Sequence, residues 1–293
     1  MTRPSPVPVV RSAYHAVLRR LPLKLRRQFL FAKGHGRLPD LRSPTSFNEK
    51  IQWRILHDRR PLLTGTCDKL SMKAYAQQLA GDGLRIPRTY WHGVDLTELA
   101  SVDVPGHWVL KPTHRSYAVI FGEGRPDPAA LTARTEGWLD EVNWSRLGEW
   151  AYASARREYV LEERIGNPGS VPADYKFFVF DGVPRLIQVD RGRFGAHTRR
   201  FYTPEWESLH NRSGLPLGDA IPRPAQLDRM LELAGRLGKG FDFIRIDLYA
   251  EDGEIWFGET TPYDGSGLDP LDPTDLDYRL GAWWTLPTGA GIV

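Results

Sequence analysis

The stretch FIRIDLYAEDGEIWFGETTP, residues 243–262, sets charged side chains into two runs of Ile, Phe, Tyr and Trp. Arg245 and Asp247 lie in the first run and Glu259 ends the second. Charges are normally kept out of strands that bury a face. Alternation puts Phe243, Arg245, Asp247 and Tyr249 on one face, with Ile244, Ile246 and Leu248 on the other. How the two carboxylates relate then depends on the turn between the runs. A two-residue Asp252-Gly253 loop sets Glu259 opposite Ile246, away from Asp247. A three-residue loop of Glu251, Asp252 and Gly253, with the glycine left-handed, sets Asp247 opposite Phe257 and Glu259 opposite Arg245. Asp247 and Glu259 are then diagonal neighbours on one face, about 7–8 Å apart at the backbone. This second register is the one expected. Two carboxylates that close repel unless a cation sits between them, and a hard divalent ion with oxygen ligands meets that need. The alternative is a solvated edge hairpin with ordinary surface charges, against which the apolar stretch argues.

Other charges sit within or at the ends of apolar runs. They are Lys111 in VLKP, Glu162 and Glu163 in YVLEERI, Lys176 in DYKFFVF and Arg191 in QVDRGRF. Any one of them could simply pair with a nearby opposite charge. As a series, several cations beside a carboxylate-held metal make a site for a polyphosphate. No Ser/His/Asp or reactive-Cys pattern accompanies them. His92, His107, His197 and His210 are scattered without metal-ligand spacing and read as structural or surface residues.

The elements that must position these side chains follow from periodicity. Residues 47–81 read as two helices, FNEKIQWRILH and DKLSMKAYAQQLA, the first with Ser46 and Glu49 spaced for a capping box. HWVLKP and YAVIF read as a strand pair, residues 128–157 as helical, and YVLEERI as a strand. YKFFVFDGVPRLIQVD is a hairpin about Asp181-Gly182, and residues 224–237 form an amphipathic helix. The fold class is α+β, with mostly antiparallel sheets and helices on their faces.

The chain has 293 residues, 41% hydrophobic and 26% charged, which suits a globular protein of one large domain or two to three subdomains. A single cysteine, Cys67, excludes an internal disulfide and reads as a small semi-buried side chain. No signal peptide or apolar run of transmembrane length is apparent, so a cytoplasmic location is expected. The net charge of +3 is uneven: residues 1–39 carry +9 and the rest −6. That basic start, with short amphipathic helices broken at Pro22, either packs on the domain with a solvated rim or touches anionic lipid or a polyanionic substrate. Nucleic acid is not expected as a partner, because no recognised binding module accompanies the charge.

The ordered set SPTSFNEKIQW (43–53), CDKLSMKAY (67–75), VLKPTH (109–114), YVLEERI (159–165), ADYKFFVFDGVPRLIQVDRGRF (173–194) and FDFIRIDLYAEDGEIWFGETT (241–261) resembles the ATP-grasp superfamily. More closely, it resembles the TupA-like ATP-grasp family. The resemblance implies an ATP-grasp fold, in which a nucleotide lies between two antiparallel sheets. It also implies a division into a basic, helical substrate-side region (1–103), a lid (104–166) and a core with the metal site (167–293). By position, Lys111 contacts phosphate from the lid, and Lys176 reaches the terminal phosphates. Glu162 takes the exocyclic amine of adenine, with the main chain of Glu163 and Ile165 beside the ring. Asp247 and Glu259 ligate Mg2+, and Thr261 offers a third oxygen where superfamily members often carry Asn. Arg245, Arg191 and Arg193 are candidates to hold the transferred phosphoryl group or the substrate carboxylate.

His114 lies three residues after Lys111 in the implied phosphate-covering loop, but Arg115 and Tyr117 stand where the family carries glycines. Either Arg115 and Ser116 bind phosphate through their side chains, or the nucleotide sits differently, or ATP binding is weakened. The implied activity is that of an ATP-dependent carboxylate–amine ligase working through an acyl phosphate. Its substrates would be an amino acid, sugar acid or peptide-like precursor, and its setting cell-wall, polysaccharide or natural-product synthesis. A hydroxyl-phosphorylating kinase and a silent binder of glycan or lipid-linked precursor are the alternatives. The basic start makes attachment to the inner face of the membrane a further expectation.

Overall fold

A computed structural model describes residues 18, 20–116, 118–140, 143–166 and 172–293. Helix α1 (Leu23–His35) begins directly after Pro22 and ends at Gly36, whose φ of 69° is the left-handed conformation that closes a helix. Helix α2 (Phe47–His57) opens with the expected capping box: Ser46 Oγ accepts from the Glu49 amide, and the Glu49 carboxylate accepts from the Ser46 amide. A 3-10 stretch, Pro61–Cys67, leads to α3 (Lys69–Ala80), whose first amides, at Leu70 and Ser71, are capped by Asp68.

Strands β1 (Thr89–Gly93), β2 (His107–Pro112), β3 (Ile120–Glu123) and β4 (Tyr159–Glu163) form one antiparallel sheet in the order β1-β4-β2-β3. Strand β1 joins this sheet from before residue 104, where the lid was expected to begin. The stretch expected to be helical over residues 128–157 is divided into α4 (Pro128–Arg134), α5 (Asn143–Leu147) and a 3-10 turn, Trp150–Ser154. Gly137 and Gly148 both take left-handed φ, 72° and 75°, which interrupts a right-handed helix. At Gly148 the chain passes so close to α1 that a Cβ would lie 2.2 Å from Leu23 Cδ1.

The second sheet holds β5 (Asp174–Phe180), β6 (Val183–Arg191), β7 (Thr198–Tyr202), β8 (Ser208–Leu209), β9 (Ile244–Glu251) and β10 (Glu254–Thr261), in the order β10-β9-β5-β6-β7-β8. The expected turn at Asp181-Gly182 joins β5 to β6. Helix α6 (Leu227–Leu237) covers one face, burying Leu227, Met230, Leu233, Ala234 and Leu237 with Phe177, Ile246 and Leu248 of the sheet in a common core. The other face is divided. At one end Phe178, Phe180 and Phe243 pack against Phe47 of α2 and Trp284, which caps α7 (Asp275–Trp283). At the other end this face carries charges.

The β9–β10 hairpin differs from expectation. Its loop has two residues, Asp252 and Gly253, at φ 53° and 80°, and Glu251 pairs with Glu254. Left-handed φ at both positions gives the primed turn that matches strand twist. In that register Phe257 pairs with Leu248 and continues the core face. Gly258 is then a β-bulge, after which Glu259 lies directly opposite Asp247 and Thr261 opposite Arg245. An unpaired residue reverses the in/out alternation, so Ile255 and Phe257 stay in the core while Glu259 and Thr261 reach the charged face. The two carboxylates are thus closer than the diagonal pairing expected from a three-residue loop.

Candidate functional site

Three rows of side chains cross the charged face. Glu259, Asp247, Lys176 and Gln188 lie opposite one another on β10, β9, β5 and β6. Thr261, Arg245 and Phe178 form the row on one side, and Tyr249, Asp174, Asp190 and Arg199 the row on the other. Asp247 is only 1% exposed. It accepts from Arg245 Nε (2.7 Å) and Nη2 (2.7 Å) and from Lys176 Nζ (2.6 Å). Arg245 Nη2 also reaches Glu259 Oε1 (3.3 Å) and Thr261 Oγ1 (3.1 Å), and its Nη1 reaches Asp264 Oδ1 (2.5 Å). Lys176 Nζ bonds Asp174 Oδ2 at 2.5 Å.

Burial pushes the Asp247 carboxyl up, against the pull of Arg245 and Lys176. Burial acts in the same sense on Glu259, but there Arg245, Lys176, Lys69 and Arg193 prevail and bring it down to about 2. Lys176 is raised: Asp174 and Asp247 outweigh its desolvation. Opposite charges therefore stabilise one another in a setting where any one alone would be costly.

The residues expected to hold a divalent ion do meet. Asp247, Glu259 and Thr261 all send oxygens to one guanidinium, that of Arg245, which stands as the cation among them. Among the described residues no three His, Cys, Asp or Glu side chains form a cage able to hold a metal by themselves. Mg2+ seldom needs one, because it binds through one or two carboxylates together with phosphate oxygens and water. The donor set is hard oxygen throughout and fits that ion, provided Arg245 gives up part of its hold on Asp247.

On the four-stranded sheet, Lys111 Nζ bonds Glu162 Oε1 at 2.5 Å, and Lys73 Nζ bonds Glu162 Oε2 at 2.9 Å. Burial would raise the Glu162 carboxyl, yet the two lysines lower it. Glu162 and Lys111, expected at the adenine and phosphate ends of a nucleotide, are thus bonded to each other here. Glu163 accepts from the Arg88 amide at 3.1 Å, and Ile165 follows β4 just ahead of Gly166. His114 is buried and Ser116 half-buried. Arg115 Nη1 is directed to the Trp138 carbonyl at 3.4 Å. Tyr117 lies outside the described residues, as do Arg3, Arg11 and Arg19 of the basic start.

Lys69, at the start of α3, was not singled out from the sequence. Its Nζ donates to the Arg115 carbonyl at 2.7 Å. Burial lowers its pKa to about 8, with Lys111 acting in the same sense and Glu259 and Glu162 opposing. Charges on both sheets, Glu259 on one and Glu162 and Lys111 on the other, thus act on this ammonium. Its signal was the second lysine-bearing segment, CDKLSMK, whose Lys73 also reaches Glu162. Asp174 was visible as the partner of Lys176 two residues on, on the same strand face. Asp264 carried no periodic signal, since it lies in the turn after β10.

Of the remaining candidates, Arg193 Nη1 lies 3.4 Å from Asp174 Oδ2, while Arg191 ends β6 exposed to solvent. Asp190 is held by Arg199 (Nε–Oδ1 2.8 Å) and by Gln188. The arrangement can neutralise an anion of several charges from two sides and hold a hard cation beneath it. It offers no nucleophile paired with a base.

Comparison with curated protein sequences gave no match. Among solved structures, the chain is similar to the D-alanine–D-alanine ligase of Bacillus anthracis complexed with ATP, with 17% identity over 68% of this chain and 55% of that one, TM-score 0.40. It is also similar to the ATP-grasp ligase PsnB complexed with a phosphomimetic variant of its minimal precursor, Mg and ADP, with 16% identity over 78% and 61%, TM-score 0.43. For the D-cycloserine synthetase DcsG the figures are 16% identity over 68% and 63%, TM-score 0.40. The chain thus spans 55–63% of the length of these three proteins. A family model described as TupA-like ATPgrasp matches residues 49–285, a range that takes in both sheets and the whole of the charged face. The chain belongs to the TupA-like ATP-grasp family and has its α+β, two-sheet fold.

Proposed function

We propose that this protein is an ATP-dependent carboxylate–amine ligase. The γ-phosphoryl group of ATP passes to a carboxylate oxygen of the acid and ADP leaves. The amine nitrogen then attacks the carbonyl carbon, the bond to the phosphate oxygen breaks with its electron pair, and the ammonium proton is released. Bound Mg2+ would neutralise charge on the transferring phosphoryl oxygens. Lys69 and Lys111 take the phosphates from the lid side and Lys176 from the core side. Asp247 and Glu259, with Thr261, are the ion's ligands. Arg245 and Arg193 hold the transferring group or the acid, and Arg191 stands at the rim. Catalysis of this kind needs positioned charge rather than a side-chain nucleophile.

One observation carries the reading: Asp247 and Glu259 share a single cation, the Arg245 guanidinium, on a charged face with Asp247 and Lys176 buried beneath it. The acid and amine belong, on this reading, to cell-wall, polysaccharide or natural-product assembly. The test is a product screen with MgATP and panels of acids and amines, read by mass spectrometry. ADP, free phosphate and an amide should appear only when both substrates are present, and Asp247→Asn or Glu259→Gln should abolish them. Phosphate retained on the acceptor would identify a kinase instead, and absence of turnover with any acceptor would identify a binder.

The partner reading extends to the membrane. No helix among the described residues is long and apolar enough to cross one. Helix α1 nevertheless exposes Leu25 and Phe29 together with Lys24 and Lys33, a composition suited to an anionic surface. Co-sedimentation with phosphatidylglycerol vesicles but not with neutral ones is the expected result. Equal recovery with both would reject attachment.

A further inference from the structure

The connection between β6 and β7 carries a side chain that the chemistry above does not use. Phe194 is 57% exposed, and Phe121 on β3, the edge strand of the lid sheet, is 38% exposed. Their rings nevertheless meet edge to face, with centroids 5.2 Å apart and planes at 85°. Arg164, just past β4, sets its guanidinium 4.9 Å from the Phe121 ring. Because Phe121 lies in the four-stranded sheet and Phe194 in the β6–β7 connection of the six-stranded one, this contact links the two sheets.

The turn that bears Phe194 is tight. Gly192 has φ 66°, and a Cβ there would lie 2.5 Å from the Ala196 carbonyl oxygen. The Gly195 amide closes the turn on the Gly192 carbonyl at 2.8 Å. Between these glycines, neighbouring residues point to different partners. Phe194 meets the lid, and Arg193 reaches Asp174, which also holds Lys176. Asp174 Oδ1 is buried with no hydrogen-bond partner, so this end of the site has an acceptor to spare. A long arginine on a solvent-exposed turn loses much rotamer freedom when it is fixed. Anchoring the next residue lowers that loss.

We propose that Phe194 is a positioning residue: Phe121 docks on it when the lid lies over the core, and the docked turn sets Arg193 into the nucleotide site. The proposal rests on the MgATP reading and adds to it a physical link between lid placement and one cation of the core. The aromatic contact would be made only with the lid in place, so it would favour the closed arrangement to which the nucleotide binds.

The test is calorimetric binding of Mg2+·AMP-PNP to the full chain, with melting temperature measured alongside. Wild type should bind. Phe194→Ala and Phe121→Ala should each weaken binding by roughly two- to tenfold, the strength of an aromatic pair. Both rings lie at the solvent edge, so the melting temperature should hardly change. Phe194→Tyr should restore affinity. The double variant Phe121→Ala/Phe194→Ala should be no weaker than either single one, and Phe194→Ala should cost clearly less in an Arg193→Ala background than in wild type. Wild-type affinity in Phe194→Ala, or an undiminished Phe194→Ala effect without Arg193, would overturn the proposal and leave the nucleotide reading intact. Failure of wild type itself to bind would overturn both.

Discussion

Gly258→Ala is the sharpest test of how the site is built. A Cβ at Gly258 would lie 2.9 Å from the Asp247 carbonyl oxygen, 2.9 Å from Tyr249 Cε2 and 3.3 Å from the Asp247 carbonyl carbon. Ordinary contact begins at 3.4 Å, so something must yield by about half an ångström. Two of the three atoms are backbone of the strand that carries Asp247, and they cannot swing aside as a side chain would. Inserting a methyl group into a packed site of this kind costs about 1–3 kcal/mol. For a chain of this size that lowers the melting temperature by roughly 2–10 °C. The same push moves Asp247 relative to Lys176 and Arg245, which it contacts at 2.6 and 2.7 Å. Binding of Mg2+·AMP-PNP should therefore weaken several-fold beyond anything the stability loss explains. Gly65→Ala is the control, because its added methyl meets nothing within 4 Å. Scanning fluorimetry and calorimetry on the three proteins decide the matter. A Gly258→Ala protein that melts and binds like wild type would refute the claim that the bulge admits only hydrogen.

Two further outcomes are expected. Lys69 titrates near 8 in the folded protein, below its ordinary 10.5, so its ammonium is charged below pH 8 and lost as pH rises through that value. Affinity for Mg2+·AMP-PNP should fall above about pH 8 by up to tenfold per pH unit, while the nucleotide-free protein gains stability between about 8 and 10.5 as the cost of burying that charge is relieved. A Lys69→Met protein with the same pH profile would contradict the assignment. Arg54 bonds Asp242 at 2.6 Å, where Arg60 and Trp284 also donate, and Arg54 is fully buried. Arg54→Met leaves a carboxylate partly uncompensated and should cost about 3–5 kcal/mol. Urea titration followed by circular dichroism measures it, and a loss below about 1 kcal/mol would show the pair to be dispensable.

Features written in local spacing are legible in the sequence itself. The capping box at Ser46 and Glu49, the Asp181-Gly182 turn and the stripe of α6 each depend on residues within a few positions of one another. The alternation that puts Arg245 and Asp247 on one face is equally local. The bulge is not legible, because a lone glycine in a strand reads only as a weak point. What requires the glycine at 258 is the carbonyl of Asp247, eleven residues earlier, across the hairpin. Asp264 and Lys69 escape notice for the same reason, since their roles come from contacts between distant segments. The Lys111–Glu162 bond joins two residues to which the family resemblance gives separate tasks. The helical stretch expected over 128–157 is interrupted at Gly137 and Gly148, both left-handed, and at Gly148 the chain must also pass close to Leu23 of α1.

Cys67 has a practical consequence. It is the only cysteine of the chain, 1% exposed, with burial raising its thiol well above the ordinary value. A buried, protonated thiol reacts slowly with alkylating reagents. The natural sequence is therefore already a quiet background for site-directed labelling. One cysteine placed at Glu254 on β10 and another at Glu123 on β3, both with exposed side chains, would accept a dye pair without prior removal of native thiols. Energy transfer between them would report the separation of the two sheets, molecule by molecule, as a nucleotide arrives.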